Sequence, residues 1–403
     1  MFSCVASQPI FNTKMEIFGY ELLYRAGKRS VQFDATDLNM ATKEVLLTAF
    51  SDIGIEEITG GRKAFVNFTA DLLMEEVPHM LSSNILVVEL LENTRPTEQL
   101  LKKCRKLRES GYLIALDDFE YREEYEPLLD LADIVKIDFV RSGEAQIENA
   151  VRQINRGRRK ILLAEKIETH EALEFAKSFG FTLFQGFFFC RPTMNTAKAV
   201  DSDAVARMNL LRMIYDPDVS FFDLAELIKR DVVISYRLLK IVNSAYYGLE
   251  YTVNGILHAI TILGLVEVRK WVTLIIFHQA NAGKPNELIR MGLIRGLFME
   301  KLAVQMNRRR VKDEYFMIGL FSLADVILGS PMAAIMAETH LNQDICGPLV
   351  TGEGERARLL DIIRHIERAE WGEAAEIAES CGISQEKVFQ FYLDAIREAQ
   401  KLL

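Results

Sequence analysis

Cysteine is scarce in this chain. Five residues in 403, Cys4, Cys104, Cys190, Cys346 and Cys381, are widely scattered, odd in number and free of any C-x-x-C spacing. That argues against a disulfide framework and against a zinc site, and makes a reducing cytoplasm the expected setting. Long apolar runs are lacking too. No window approaches the ~20 residues that cross a bilayer, and the longest runs, such as WVTLIIF at 271–277, are buried helix or strand material, so no membrane partner is expected. The opening MFSCVASQPIF has no basic segment leading into a long apolar one and does not read as a signal peptide. Positive charge is in deficit: 48 Lys and Arg against 57 Asp and Glu leave a net charge of −9. Direct nucleic-acid binding, which shows as a basic excess, is therefore not expected. RGRRK at 156–160 and RRR at 308–310 are short, lie beside expected helix ends and read as solvated turns. No G-x-G-x-x-G follows a strand, which lowers a dinucleotide-binding fold.

What is present is a pattern. Six short apolar runs each end on an acid, an amide or a lysine: AFVNF around Asn67, ILVVELLE at Glu89 and Glu92, LIALDDF at Asp117 and Asp118, IVKID with Lys136 and Asp138, ILLAEKIET with Glu165 and Glu168, and FTLFQGF at Gln185. They recur roughly every 20 to 30 residues, the length of a strand, a helix and their loops. Between them lie helical stretches such as DLLMEEVPHML (71–81) and PTEQLLKKCRKLRES (96–110). Repeated βα units imply a mostly parallel sheet covered by helices. Six or seven units over about 190 residues fit a small TIM-type α/β barrel, whose active site is built from the C-terminal ends of its strands.

RPTMNTAKAV (191–200) breaks the pattern and reads as a join. Beyond it period-two segments nearly disappear, and amphipathic helices follow; SFFDLAELIKRD starts with Ser220 as a plausible N-cap. The expectation is an α/β barrel over residues 1–195 and an all-α domain over 196–403.

Acids converging from separate strands have a chemical use. A phosphodiester's negative charge repels an attacking hydroxide, and a metal pair offsets that charge while lowering the pKa of bound water. Such a site needs several hard oxygen ligands, a base and a cation. Glu21, Asn67, Glu89, Asp117 and Asp118 are ligand candidates, Lys136 the cation and Glu165 the base candidate. Any one of these could simply cap the following helix; six strand ends together make that a poor account.

FGYELLYR at 18–25 resembles the signature of the EAL domains, the cyclic-di-GMP phosphodiesterase family of modified α/β barrels. The resemblance continues in order through SQPIF, FVNFT, VVELLE, ALDDF, VKID, LAEKIET and QGFFFCRP. It implies metal ligation by Glu21, Asn67, Glu89 and Asp117, with Asp118 on a second metal. Lys136 would contact phosphate or the attacking water, and Glu165 would be the general base. Gln8, Arg25 and Gln185 would hold the nucleotide, with Glu92, Asp138 and Glu168 standing behind. The implied reaction is hydrolysis of cyclic-di-GMP to pGpG with Mg2+ or Mn2+. The loop after Asp118 departs from the family. A flexible Gly-Thr-Gly-Tyr-Ser-Ser-Leu is replaced by Phe119, Glu120, Tyr121, Arg122, Glu123, Glu124 and Tyr125, which removes two glycines and brings three acids beside an anionic substrate. Dimerisation through the barrel, a family expectation, is put in question by the same change.

In the second half, SYRLLKIVNSAYYG (235–248) and ILHAITILGLVEVRKWV (256–272) resemble the HDOD domain, a non-catalytic relative of HD-type hydrolases, with Asn243, Ser244, Ala245, Gly248, Ile260, Leu263 and Gly264 carrying the match. Gly248 and Gly264 also read as helix C-caps. No His-Asp pair occurs; Ser322 and Leu323 stand where one would sit, and the six histidines are scattered, leaving only a weak metal cluster of His258, His278 and His340 to consider. The resemblance implies interaction with an unidentified signalling protein. Two functions stay open. An enzyme with a helical regulatory domain ranks first; a catalytically silent cyclic-di-GMP-binding effector or scaffold relaying through the helical domain ranks second.

Overall fold

The computed structural model describes residues 3–26, 55–157, 159–187, 202–244, 246–280, 287–339 and 341–402. It divides into two compact units: Met1–Arg191 with Ile366–Trp371, and Pro192–His365 with Gly372–Leu403. The join read at 191–200 lies wholly outside the described residues.

The first unit is a closed barrel of eight strands in sequence order. These are β1 (Ser3–Asn12), β2 (Ile17–Ala26), β3 (Lys63–Phe68), β4 (Leu86–Leu90), β5 (Leu113–Leu116), β6 (Ile134–Asp138), β7 (Ile161–Glu165) and β8 (Leu183–Gln185). The six apolar runs are β3 to β8. The two strands the run-counting left out form a hairpin, so β1 is antiparallel to both its neighbours while the rest of the barrel is parallel. The hairpin turns on Asn12, whose side-chain oxygen accepts the backbone N–H groups of Lys14 and Glu16 at 2.9 and 3.0 Å, a side-chain mimic of a backbone turn.

The connecting helices follow from local chemistry. Thr97 caps Glu98–Glu109 by accepting the Leu100 N–H, so this helix starts two residues after Pro96. The stretch 71–81 is not one helix. Ala70–Met74 stops, and Val77–Met80 forms a separate 3-10 turn, because Pro78 disfavours a helical residue before it and supplies no N–H. Lys160 is no free turn residue: its ammonium donates to the carbonyls of Asp130 and Ala132 at 3.0 and 2.5 Å.

Among the described residues no strand occurs beyond Gln185, and the second unit is helical. Ser220 caps Phe221–Lys229 in a reciprocal box with Asp223. Asn243 clamps the signature turn. Its amide donates to the carbonyls of Leu239 and Val253, both at 2.8 Å, and its oxygen accepts Val253 N–H at 2.7 Å. Ala245 lies outside the described residues. Gly248 is not a helix cap: the helix Val232–Val242 ends on Asn243, and Gly248 sits in the turn beyond it. Gly264 does end a helix: within Ile256–Ala280 two helices meet at its non-helical φ of 80° and ψ of 161°, a conformation open essentially to glycine. WVTLIIF lies buried in the second of them.

Helices Glu287–Gln305 and Lys312–Phe321 press together at Gly319, where an added Cβ would meet the carbonyl of Arg295 and the nitrogen of Gly296 at 2.4 Å. Gly319→Ala should therefore destabilise the helical unit by about 3 kcal/mol, as overpacking of a closed contact does. Chemical denaturation of the full chain would show this as a loss of midpoint confined to the helical transition, and an unchanged midpoint would refute it. Among the described residues no helix is long and apolar enough to cross a membrane.

Candidate active site

One apolar layer closes the barrel interior: Ile10, Phe65, Val87, Ala115, Ile134, Leu163 and Leu183, one from each of seven strands. Side chains alternate inward and outward along a barrel strand, so the next inward positions lie two residues on. They are Asn67, Glu89, Asp117, Lys136, Glu165 and Gln185, with Gln8 two residues before Ile10 because β1 runs the other way. Glu21 joins them from β2, directly opposite Gln8. A polar layer thus sits on an apolar floor, at the C-terminal end where barrel enzymes carry out their chemistry.

The layer is organised around Lys136, which is fully buried. Its ammonium lies 2.6 Å from Asp117, 2.9 Å from both Glu89 and Glu165, and 3.3 Å from Glu21. Burial works against its charge, but Asp117, Glu165, Glu21 and Glu89 overcome that and hold its pKa well above the usual lysine value. Burial likewise pushes the Glu89 carboxyl well up, and brings Glu165 to about 8, with Lys136 opposing in both cases. One ammonium facing four carboxylates leaves a formal excess of three negative charges when all are ionised, and buried charge without a counter-charge is costly.

The donor set fits a hard divalent cation. Glu21, Glu89 and Asp117 each present an oxygen within 4.8 Å of the other two. Glu89 Oε2, Glu165 Oε2 and Gln185 Oε1 are buried without a hydrogen-bond partner, which a native structure rarely leaves unexplained. Asn67 ends β3 level with Glu89 on β4. Gln185 ties the ring together: its amide donates to Gln8 at 2.9 Å and to Glu21 at 2.7 Å.

Other candidates lie elsewhere. Asp118 is outside the three-carboxylate group and receives Arg141 at 3.0 Å. Asp138 is buried one step above Lys136 on β6. Its Oδ1 accepts the N–H groups of Val140 and Arg141 at 2.7 and 3.0 Å, and its Oδ2 faces Lys166 at 2.5 Å. Glu92 and Glu168 are exposed, and among the described residues Glu92 makes no hydrogen bond or ion pair. Arg25 lies on β2, its side chain outside what the structure describes.

The altered loop has its own anchors. Phe119 is buried, with its N–H on the Lys136 carbonyl at 2.9 Å, and Tyr121 donates to Glu126 at 2.9 Å. Glu120, Glu123 and Glu124 are all exposed. Among the described residues no hydrogen bond or ion pair joins 119–125 to Glu21, Glu89 or Asp117. A cavity of about 170 Å³ lies there instead, with Glu92, Asp117, Phe119, Glu120 and Arg141 in its wall.

Two cations were not singled out from sequence. Arg141 is reached only once Asp138 is seen to turn the chain. Lys166 sits beside Glu165 and takes a φ of 54°, as Asp118 takes 42°. Left-handed backbone costs a non-glycine residue roughly 1–2 kcal/mol and tends to mark functional positions.

The helical unit holds no comparable group. Among the described residues the one candidate metal cluster is that of the barrel. His258 is exposed and stacks on Tyr251, and His340 lies outside the described residues. At the Ser322 position a buried guanidinium, that of Arg295, donates to the hydroxyl at 3.0 Å.

Comparison with known proteins agrees with this division. The EAL domain model matches residues 4–192 and the HDOD domain model residues 202–344. The uncharacterized protein YuxH of Bacillus subtilis is 31% identical over 99% of this chain and 98% of its own length. The cyclic di-GMP phosphodiesterase CdgJ of Vibrio cholerae is 31% identical over 99% of this chain and 92% of its own. Among solved structures, an EAL domain protein from Listeria monocytogenes is 22% identical over 47% of this chain and 87% of that one, with a TM-score of 0.36. A barrel carrying its acids on one polar layer, a helical unit whose described residues hold no metal cluster, and relatives 31% identical over 99% of the chain lead to one conclusion: this chain belongs to the EAL–HDOD proteins, its first half an EAL domain of the cyclic-di-GMP phosphodiesterase family.

Proposed function

We propose that the chain is a metal-dependent phosphodiesterase that hydrolyses cyclic-di-GMP to pGpG, with residues 1–195 carrying the chemistry and 196–403 serving as a helical docking or regulatory domain. The observation that carries this reading is the convergence of Glu21, Glu89 and Asp117 within 4.8 Å, beside buried carboxylate oxygens that have no partner. Glu21, Asn67, Glu89 and Asp117 would hold Mg2+ or Mn2+, and Asp118, released from Arg141, would serve a second ion. When bound, the metal supplies charge neutralisation and a more acidic water. The rest falls to the chain. Lys136 gathers the four carboxylates and keeps a positive charge among them. Glu165, whose Oε2 has no hydrogen-bond partner, is placed to take the proton of the attacking water. Gln185 sets the Glu21 carboxylate, and Gln185, Gln8 and Arg25 would hold the nucleotide.

The second reading, a silent cyclic-di-GMP binder that relays occupancy through the helical domain, draws on the anchored loop at Phe119 and Tyr121. A flexible lid is what that loop replaces. Incubating the protein with cyclic-di-GMP and Mg2+ or Mn2+, resolving pGpG and measuring binding alongside, separates the two. We expect pGpG with either metal and none in EDTA. Tight binding with no pGpG under either metal would establish the binder.

A further inference from the structure

A cyclic dinucleotide carries two phosphodiesters, and only one is cut at a time. On the reading above, the carboxylate layer would address the one being cut; the other is an anion brought to a mouth walled by acids. It needs a counter-charge. The structure offers one above the layer. Asp138 stands two residues beyond Lys136 on β6, about 7 Å higher along the strand. Its Oδ1 is fixed by two backbone N–H groups, and its Oδ2 pairs with Lys166 Nζ at 2.5 Å and faces Arg141 Nε at 3.7 Å, while Arg141 Nη1 donates to Asp118 at 3.0 Å. Two cations converging on one oxygen present the arrangement that a phosphate oxygen can share or take over.

Both side chains remain open to solvent, Lys166 at 51% and Arg141 at 67%. Two ammonium hydrogens of Lys166 and the Nη2 group of Arg141 have no protein partner among the described residues. The backbone under Lys166 is held in its left-handed turn from both sides. Glu165 before it pairs with Lys136, and Ile167 after it is fully buried with its N–H on the Gln185 carbonyl at 3.0 Å. A lysine thus stands in a turn that glycine would occupy freely, paired with a buried aspartate, and backbone strain of this kind tends to mark functional positions. We propose that Arg141 and Lys166, positioned by Asp138, form the seat for the phosphodiester of the cyclic dinucleotide that is not being cut. The seat rests on the functional reading above and adds to it the residues that distinguish a cyclic dinucleotide from a simple diester.

The test compares cyclic-di-GMP with bis(4-nitrophenyl) phosphate, which has a single phosphodiester. Lys166→Gly removes the ammonium and the backbone strain together, so its melting temperature should hold or rise. Arg141→Gln keeps the length of the side chain. Each should raise KM for cyclic-di-GMP about tenfold with a smaller change in kcat, and lower the kcat/KM ratio of cyclic-di-GMP to the small diester about tenfold. Lys166→Arg should restore most of it. Should the wild type bind without turnover, the dissociation constant for cyclic-di-GMP in Ca2+ replaces KM, with the same tenfold change expected. Unchanged KM in both variants, or equal losses on both substrates, overturns the seat while leaving the phosphodiesterase reading intact. A wild type that neither binds nor cuts cyclic-di-GMP overturns both.

Discussion

Lys136→Met should lower the melting temperature of the metal-free barrel by about 10 °C. The ammonium is the shared partner of Glu21, Glu89, Asp117 and Glu165, and it is fully buried. Methionine fits the volume but leaves the carboxylates to repel one another in a place that water screens poorly. Removing one member of a buried ion pair costs about 3–5 kcal/mol, and for a domain of this size each kcal/mol shifts melting by about 2–4 °C. The loss should be selective: millimolar Mn2+ should return more stability to the variant than it adds to the wild type, because the ion supplies the charge that the lysine took away. Thermal melts with and without Mn2+ measure both parts. A variant that melts with the wild type in EDTA would show that Lys136 does not neutralise the layer.

Glu21→Ala should act in the opposite direction on stability and more severely on turnover. It subtracts one negative charge from an overcharged layer, so the metal-free protein should melt no lower than wild type. Yet it removes one of the three oxygens that lie within 4.8 Å of one another, and the Gln185 amide loses one of its two acceptors. Transition-state charge stabilisation by a metal amounts to several kcal/mol, so release of pGpG should fall by at least about 1000-fold. The stabilisation by Mn2+ should shrink along with it. A folded Glu21→Ala protein that still turns over would remove Glu21 from the ligand set.

The strand ends were legible in the sequence because buried parallel strands are near-continuous apolar runs, and a polar residue at the end of one stands out. Register was not legible. That Asn67, Glu89, Asp117, Lys136 and Glu165 share one level depends on how far each strand is staggered against the next, and no local pattern states it. For that reason Asp118, equally acidic and adjacent in sequence, could not be separated from Asp117 as a ligand candidate. In the structure Asp118 turns to Arg141, and Glu168 is exposed. The hairpin β1–β2 escaped the count of apolar runs because Gln8 and Glu21 interrupt it. In the helical half, Gly264 was legible as a helix stop because glycine alone takes its φ of 80° freely. Pro78 was likewise visible in 71–81 and should have split that helix.

The bridge from Gln185 to Gln8 and Glu21 spans up to 177 residues of chain and exists only once β8 has closed on β1. Until then the acids stand on an open, incomplete sheet, and closing so long a loop is a slow, late event. During synthesis the chain therefore passes nearly half its length before this pocket can take shape. A truncated or stalled product would carry every acid of β2 to β7 and still lack the geometry to capture an ion, so this part of the molecule ripens all at once.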